Sequence, residues 1–226
     1  MRCLALLMVV FWPLASLAEE LPRQIVVSAI GAASATPDMA TVSIGVMREA
    51  ETAKEAMQGV GEATAAVLEE IAEAGIEPRD VQTSSLMLNP VWEQGGTRTP
   101  AIRGYSAATM LSIRVRDLEN LGNLLDAVVD QGANRLNGLS FGIADTDAVE
   151  SEARTDAVKR AREMAETLAA AAGVDLGAIQ SISEGGGGGA PAPMMRGAMM
   201  EAADMPIASG ELDIRVSVTV VFEISD

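Results

Sequence analysis

The chain has 226 residues with 16 basic and 32 acidic side chains, a formal net charge of −16 at pH 7, no histidine and one cysteine. Such an acidic balance argues against nucleic acid and anionic lipid as partners, because like charge repels them, although acidity also serves simply to keep a protein soluble. The lone cysteine, Cys3, sits at the very start, so the rest of the chain excludes disulfides, zinc sites, Cys-His dyads and Ser-His-Asp triads.

Residues 1–18 read as an export signal. Arg2 supplies a positive start, residues 4–12 an apolar run, and Ser16-Leu17-Ala18 the small residues a signal peptidase reads. The run is about half the length that spans a bilayer, which argues against a transmembrane anchor. Cys3 lacks the context of a lipid-modified cysteine at a cleavage point. The mature chain is expected to begin near Glu19 in the periplasm, and losing Arg2 and no acid makes it one charge more negative.

The first strand is expected over 25–31, followed by a turn at Thr36-Pro37-Asp38. Its proline and aspartate are good hairpin chemistry, which predicts antiparallel pairing with the next strand, 40–47. There Val42, Ile44 and Val46 alternate with Thr41, Ser43 and Gly45, the period of a half-buried strand. A helix of about six turns follows over 52–74. Ala53, Ala56, Met57, Val60, Ala63, Val67, Leu68, Ile71 and Ala74 form its expected inward stripe, Thr52 and Glu55 a capping box, and Gly75-Ile76 with Pro78 a left-handed stop. Residues 80–92 and 104–116 read as two long strands of a second hairpin, joined by a Gly, Thr and Pro-rich loop.

Asp117 is expected to cap a helix with Leu118, Leu121, Leu124, Leu125 and Val128 inward and Gly132 as its stop. A strand over 136–144 precedes a helix over 147–172, with Asp147 and Glu150 as a capping pair and Gly173 as its end. Met164, Ala165, Leu168 and Ala172 are expected to continue its inward stripe, and the alanine-rich inner face predicts close approach to a sheet or another helix. A short strand lies within 174–184. Residues 184–210 contain five successive glycines and several prolines, and read as a long flexible loop. Last comes a strand over 212–224, whose strict alternation predicts pairing along much of its length. This order favours an α+β fold, a two-layer arrangement of antiparallel hairpins packed with three main helices, over a doubly wound parallel sheet. We expect one domain, residues 19–226, with two lobes at roughly 24–116 and 117–226.

No reaction is legible. The two lysines, Lys54 and Lys159, both fall in helices, and neither has a serine three positions before it. The chain does resemble the SIMPL-domain family, also called the domain-of-unknown-function 541 family. The resemblance is carried by Val27-Ser28 with Gly31, Pro37-Asp38-Met39-Ala40, Gly45-Val46 leading to Thr52-Ala53 and Ala56, Gly75-Ile76, and Asp80-Val81-Gln82-Thr83. It continues with Gly104-Tyr105, Val115-Arg116-Asp117-Leu118, Gly132-Ala133-Asn134, Phe141, the helix over 153–165, and Gly210. It implies an exported α/β protein without established enzymatic activity, in a family where some members are linked to envelope stress and some form large homo-oligomeric, channel-like rings. It brings no catalytic motif.

Four groups of residues invite a functional reading, each beside a plainer one. Met194, Met195, Met199, Met200 and Met205 could gather thioethers around Cu(I), take up oxidant reversibly, or serve as loop and oligomer contacts. Asp145, Asp147, Glu150 and Glu152 could bind calcium, but lack EF-hand spacing and suit the first turn of a helix. Trp92 and Tyr105 could hold a ligand or pack across strands. Arg154, Arg160 and Arg162, beside Glu163 and Glu166, suit a solvated face or an intersubunit salt bridge. None is assigned as catalytic, cofactor-binding or metal-ligating. The expectation is a non-enzymatic homo-oligomeric assembly, channel-like in its extended form, or interaction scaffold in envelope or oxidative stress; the alternative is a Cu(I) or small-molecule binding module at the methionine loop.

Overall fold

The computed structural model describes residues 23–93, 101–185, 192–194 and 207–225. The proposed leader, the loop at 94–100 and Met195, Met199, Met200 and Met205 lie outside the described residues, as do the side chains of 192–194. The elements in chain order are β1 (Gln24–Ala35), β2 (Met39–Ala50), α1 (Ala53–Glu73), β3 (Val81–Trp92), β4 (Ile102–Val115), α2 (Leu121–Asp130), β5 (Arg135–Gly142), α3 (Asp147–Ala172), β6 (Asp175–Glu184), β7 (Ala192–Met194) and β8 (Glu211–Ser225). They form two antiparallel sheets covered by three helices, the α+β architecture expected.

In the first sheet β8 is central, with β1 along one edge and β6 and β7 on the other. The second sheet has the order β3-β4-β2-β5. The chain leaves the first sheet after β1, completes the whole second sheet with α1 and α2, and returns at α3. Both sheets therefore take strands from either side of residue 116.

This topology overturns the first predicted hairpin. β1 pairs with β8 over its full length, Gln24 opposite Glu223 and Ala35 opposite Leu212, while β2 runs between β4 and β5. The proline and aspartate do end the strand, but the segment they form crosses between sheets. Asp38 is held there by donating its N–H to Gly142 O at 3.1 Å and accepting the Ala144 N–H on Oδ1 at 2.7 Å. The second hairpin is present, β3 pairing with β4. Within the stretch read as a loop, β7 is a three-residue strand on β8; it contains Pro193, which a sheet edge tolerates because one side of an edge strand needs no N–H donor.

Each sheet buries its own helical layer. On the second, Val42, Ile44, Val46, Leu111 and Ile113 meet Val67 and Ile71 of α1 and Leu121, Leu124, Leu125 and Val128 of α2. Ile207, just before β8, packs against this core and ties the two halves together. On the first, α3 presents Ala153, Ala157, Ala161 and Ala165 to Val27, Ala29, Val216, Val218, Val220 and Phe222, and Ala169 continues the buried row. Of the expected stripe only Ala165 faces inward, while Met164 and Leu168 are 46% and 49% exposed and Ala172 is exposed, because the buried row repeats every fourth residue and passes between them. Alanine at every fourth position lets the helix backbone approach the sheet closely. Gly31 is the point of closest approach, since a Cβ there would overlap Ala153 O and Ala157 N and lie 2.7 Å from Ala157 Cα.

The predicted helix ends hold with two corrections. α1 carries the Thr52–Glu55 capping box, and Gly75 at φ 82° lets Ile76 N–H return to Ile71 O. α2 begins at Leu121 rather than beside Asp117, whose carboxylate instead accepts the Asn120 N–H and side-chain amide. At α3, Asp147 and Glu150 do not cap each other. Asp145 Oδ1 accepts the Asp147 N–H at 3.1 Å, and Thr146 Oγ1 donates to Glu150 Oε1 at 2.8 Å.

Candidate functional site

The C-cap of α1 sets up the one charged centre buried in the second sheet. Gly75 turns the chain, Ile76 anchors it to the core, and Pro78–Asp80 forms a single 3-10 turn with Asp80 N–H on Glu77 O at 2.9 Å. Asp80 thereby ends only 5% exposed at the mouth of β3. On the neighbouring strand, residues 114 and 116 lie two apart and so share a face. Arg114 Nε lies 3.3 Å from Asp80 Oδ1; Arg116 donates from Nη2 to Oδ1 at 3.2 Å and from Nε to Oδ2 at 3.4 Å.

A buried carboxylate without partners is prohibitively costly, so the two guanidiniums are what allow Asp80 to remain charged there. Both arginines stay about half exposed, so their own hydration is largely kept. Two clefts meet at this cluster. One, about 450 Å³, lies between the end of α1 and the start of α2, with Ile76, Arg116, Asp117, Asn120 and Asn123 in its wall. The other, about 500 Å³, opens over the outer face of the sheet beside Thr41, Gln82, Ser112 and Arg114. Arg79 and Asp80 border both.

Both Asp80 oxygens are committed to arginines, and Arg79 is paired with Glu77 at 2.6 Å. Among the described residues no group of three or more Asp or Glu side chains could hold a metal ion.

The residues singled out from sequence are not brought together. Trp92 stands opposite Ile102 and is 51% exposed, while Tyr105 is opposite Pro90 and packs against Ala56, Val60 and Ala107. Cross-strand and core packing account for both. Asp145, Thr146 and Glu150 form the start of α3, and Glu150 is held below the usual carboxylate range first by the Thr146 hydroxyl and then by Arg154. Arg160 pairs with Asp156 and Arg162 with Glu166, the solvated i,i+4 face expected; Glu163 pairs instead with Lys159. Arg154 also crosses to Glu184 of β6 at 3.0 Å. Asp80 and Arg116 entered the sequence reading only as parts of the family resemblance, and Arg114 not at all. The signal was there: an acid closing a Pro-Arg-Asp turn, and an Arg-x-Arg pair at a strand end.

Three separated segments of that resemblance, around Gly75-Ile76, Asp80 and Arg116-Asp117, line the same cleft. The family profile described as "SIMPL: Protein of unknown function (DUF541)" matches residues 25–222, from the start of β1 to nearly the end of β8. The chain belongs to the SIMPL family. Among its relatives, the 26 kDa periplasmic immunogenic protein of Brucella melitensis is 42% identical over 213 residues, covering 90% of this chain and 85% of the relative. The YggE protein of Escherichia coli K12, described as uncharacterised, is 30% identical over 200 residues, covering 88% and 80%. A YggE protein of Edwardsiella ictaluri is 30% identical over 167 residues, covering 73% and 70%. None of these SIMPL descriptions names an enzyme. Among the described residues no helix is long and apolar enough to cross a membrane.

Proposed function

We propose that this SIMPL protein is exported to the periplasm and works there as a non-enzymatic homo-oligomeric scaffold, with a channel-like assembly as its extended form, in the response to envelope or oxidative stress. The observation that carries the reading is the edge formed by β3. This strand is twelve residues long, has β4 on one side only among the described residues, and exposes Leu86 at 59%, Met87 at 44%, Leu88 at 44% and Trp92 at 51%. Edge strands that stay monomeric are commonly short or guarded by charge. β3 carries apolar side chains on both faces and no charged residue. A second copy adding a strand there would satisfy the open row of N–H and C=O groups and cover those side chains. The opposite sheet offers a similar edge at β1, with Val26 and Ile30 exposed at 53% and 58%.

The name of the Brucella relative supports the periplasmic assignment, and the lack of an available base and nucleophile at Asp80 supports the non-enzymatic one. Light scattering coupled to size-exclusion chromatography at micromolar concentration tests the assembly. The expected mass is a multiple of the mature chain, shifted to monomer in a Leu86→Glu/Leu88→Lys variant. A monodisperse monomer of the unaltered protein overturns the reading. The second reading, Cu(I) capture by Met194, Met195, Met199, Met200 and Met205, falls on side chains outside the described residues.

A further inference from the structure

The outer face of the second sheet, away from α1 and α2, holds a methionine grouping made by three strands far apart in sequence. Val46 and Leu111 mark the helix-facing side, so Met47 of β2 and Met110 of β4 point outward. In register, Met47 stands opposite Ala108, and Ala108 opposite Met87 of β3. In the next row Gly45 stands opposite Met110, and Met110 opposite Ser85. Met110 is thus the diagonal neighbour of both other methionines, and all three surround Ala108. Diagonal positions are about 7–8 Å apart, within reach of long side chains.

The floor is made of the smallest residues available. Met110 is 5% exposed, and its sulfur occupies the space that a Cβ on Gly45 would need, so the thioether leans toward the strand that carries Met47. Asn134 fixes Met47 from the other side, accepting its N–H at 2.8 Å and donating to its carbonyl at 2.9 Å. Met87 is 44% exposed and closes the group toward solvent. The Met110 side chain is therefore buried, with Met47 and Met87 on the strands to either side of it. The open side is occupied by Arg135, whose Nη1 lies 3.6 Å from Met47 Sδ on an exposed side chain.

We propose that Met47, Met87 and Met110 form a binding site for a soft monovalent cation, Cu(I). Neutral thioether sulfurs are poor ligands for magnesium, calcium or zinc and suit Cu(I). Beyond Cys3 the chain has no thiol and no imidazole, so methionine is the softest donor it possesses. With only Gly45 and Ala108 on the floor, the Met110 sulfur lies directly over Gly45, and Arg135, in contact with the Met47 sulfur and exposed, is the group an entering ion must displace. The site is separate from the methionines of 194–205, and its Met87 also lies on the β3 edge proposed for assembly.

The test is competition for Cu(I) between the full mature chain and bicinchoninate, under anaerobic conditions with ascorbate. The expected result is one equivalent withheld from the chelator. Met47→Leu/Met87→Leu/Met110→Leu should lose this equivalent while keeping its circular dichroism spectrum, since methionine and leucine are similar in volume. A variant with leucine at all five methionines of 194–205 should retain it. Arg135→Ala should bind about tenfold tighter, equal to about 1.4 kcal/mol, once the competing cation is gone. No withheld copper in the unaltered chain, or copper lost only with the 194–205 methionines, overturns the proposal. Should the triple variant misfold, Met87→Leu alone, at an exposed position, is read instead, and unchanged affinity there overturns it as well.

Discussion

Asp38 and Ala144 join the two places where the chain crosses between its sheets: the Asp38 carboxylate accepts the Ala144 N–H at 2.7 Å. The second sheet is inserted between β1 and α3, and this bond, with Asp38 N–H on Gly142 O, holds its entry and exit side by side. Asp38→Ala is expected to cost about 1 kcal/mol, because the freed amide is near solvent and recovers water. Hydrogen exchange at Ala144 should accelerate while exchange in the core of either sheet stays slow. Unchanged protection at Ala144 would show that the junction does not need the bond.

Gly31→Ala places a methyl group against the α3 backbone at Ala153 and Ala157, where no flexible side chain can give way. The helix must lift from the sheet along its alanine face, at a cost of about 1–3 kcal/mol or more. Gly61→Ala gives the opposite sign. Gly61 lies within α1 with open space around it, and alanine there should stabilise by about 0.5–1 kcal/mol. Urea midpoints moving in the same direction for both would contradict the packing argument.

The Asp80 cluster predicts non-additivity. Arg114→Met or Arg116→Met alone leaves one guanidinium on the buried carboxylate, whereas the double variant leaves the charge without a cation. The double loss should approach about 3–5 kcal/mol, above the sum of the single losses. Additive denaturation midpoints would mean that Asp80 is satisfied by water entering from the clefts.

Asp156 accepts the edge N–H of Ala32 at 3.0 Å and pairs with Arg160, and these contacts, in that order, hold its pKa below the ordinary carboxylate value. Glu150 is lowered too, by Thr146 and then Arg154. A depressed folded pKa contributes stability that is complete above the unfolded value and disappears as pH falls through the folded one. Thermal midpoints should therefore be flat with respect to these groups above about pH 5 and decline below about pH 4. Asp156→Asn should flatten that acid decline; an equally steep decline in the variant would assign it to other carboxylates.

The helices, the Thr52–Glu55 cap of α1 and most strands were readable because their causes are local. Thr52 and Glu55 are three residues apart, Gly75 needs only its own φ, and the alternation through β8 is visible in one stretch. The family membership was readable for a related reason, since its short pieces keep their order along the whole chain. The candidate site was half readable: Asp80 and Arg116 stood in those pieces, but nothing local joined them or pointed to Arg114.

What the sequence determined by itself was the type of the main elements and the buried face of most of them, because side-chain periodicity and capping act within a turn or two; β7 and the buried row of α3 were the exceptions. The β3–β4 hairpin was legible in the chain, whereas the partners of β1 and β2 were decided only in the folded molecule. Backbone N–H and C=O groups are alike in every strand, so the Pro37-Asp38 turn could end β1 without choosing its partner, and burial against the alanine face of α3 assigned β1 to β8. Pairing of β4 with β2 and with β3 brought Met47, Met87 and Met110 around Ala108, and the β3–β4 pair drew Asp80 under Arg114 and Arg116.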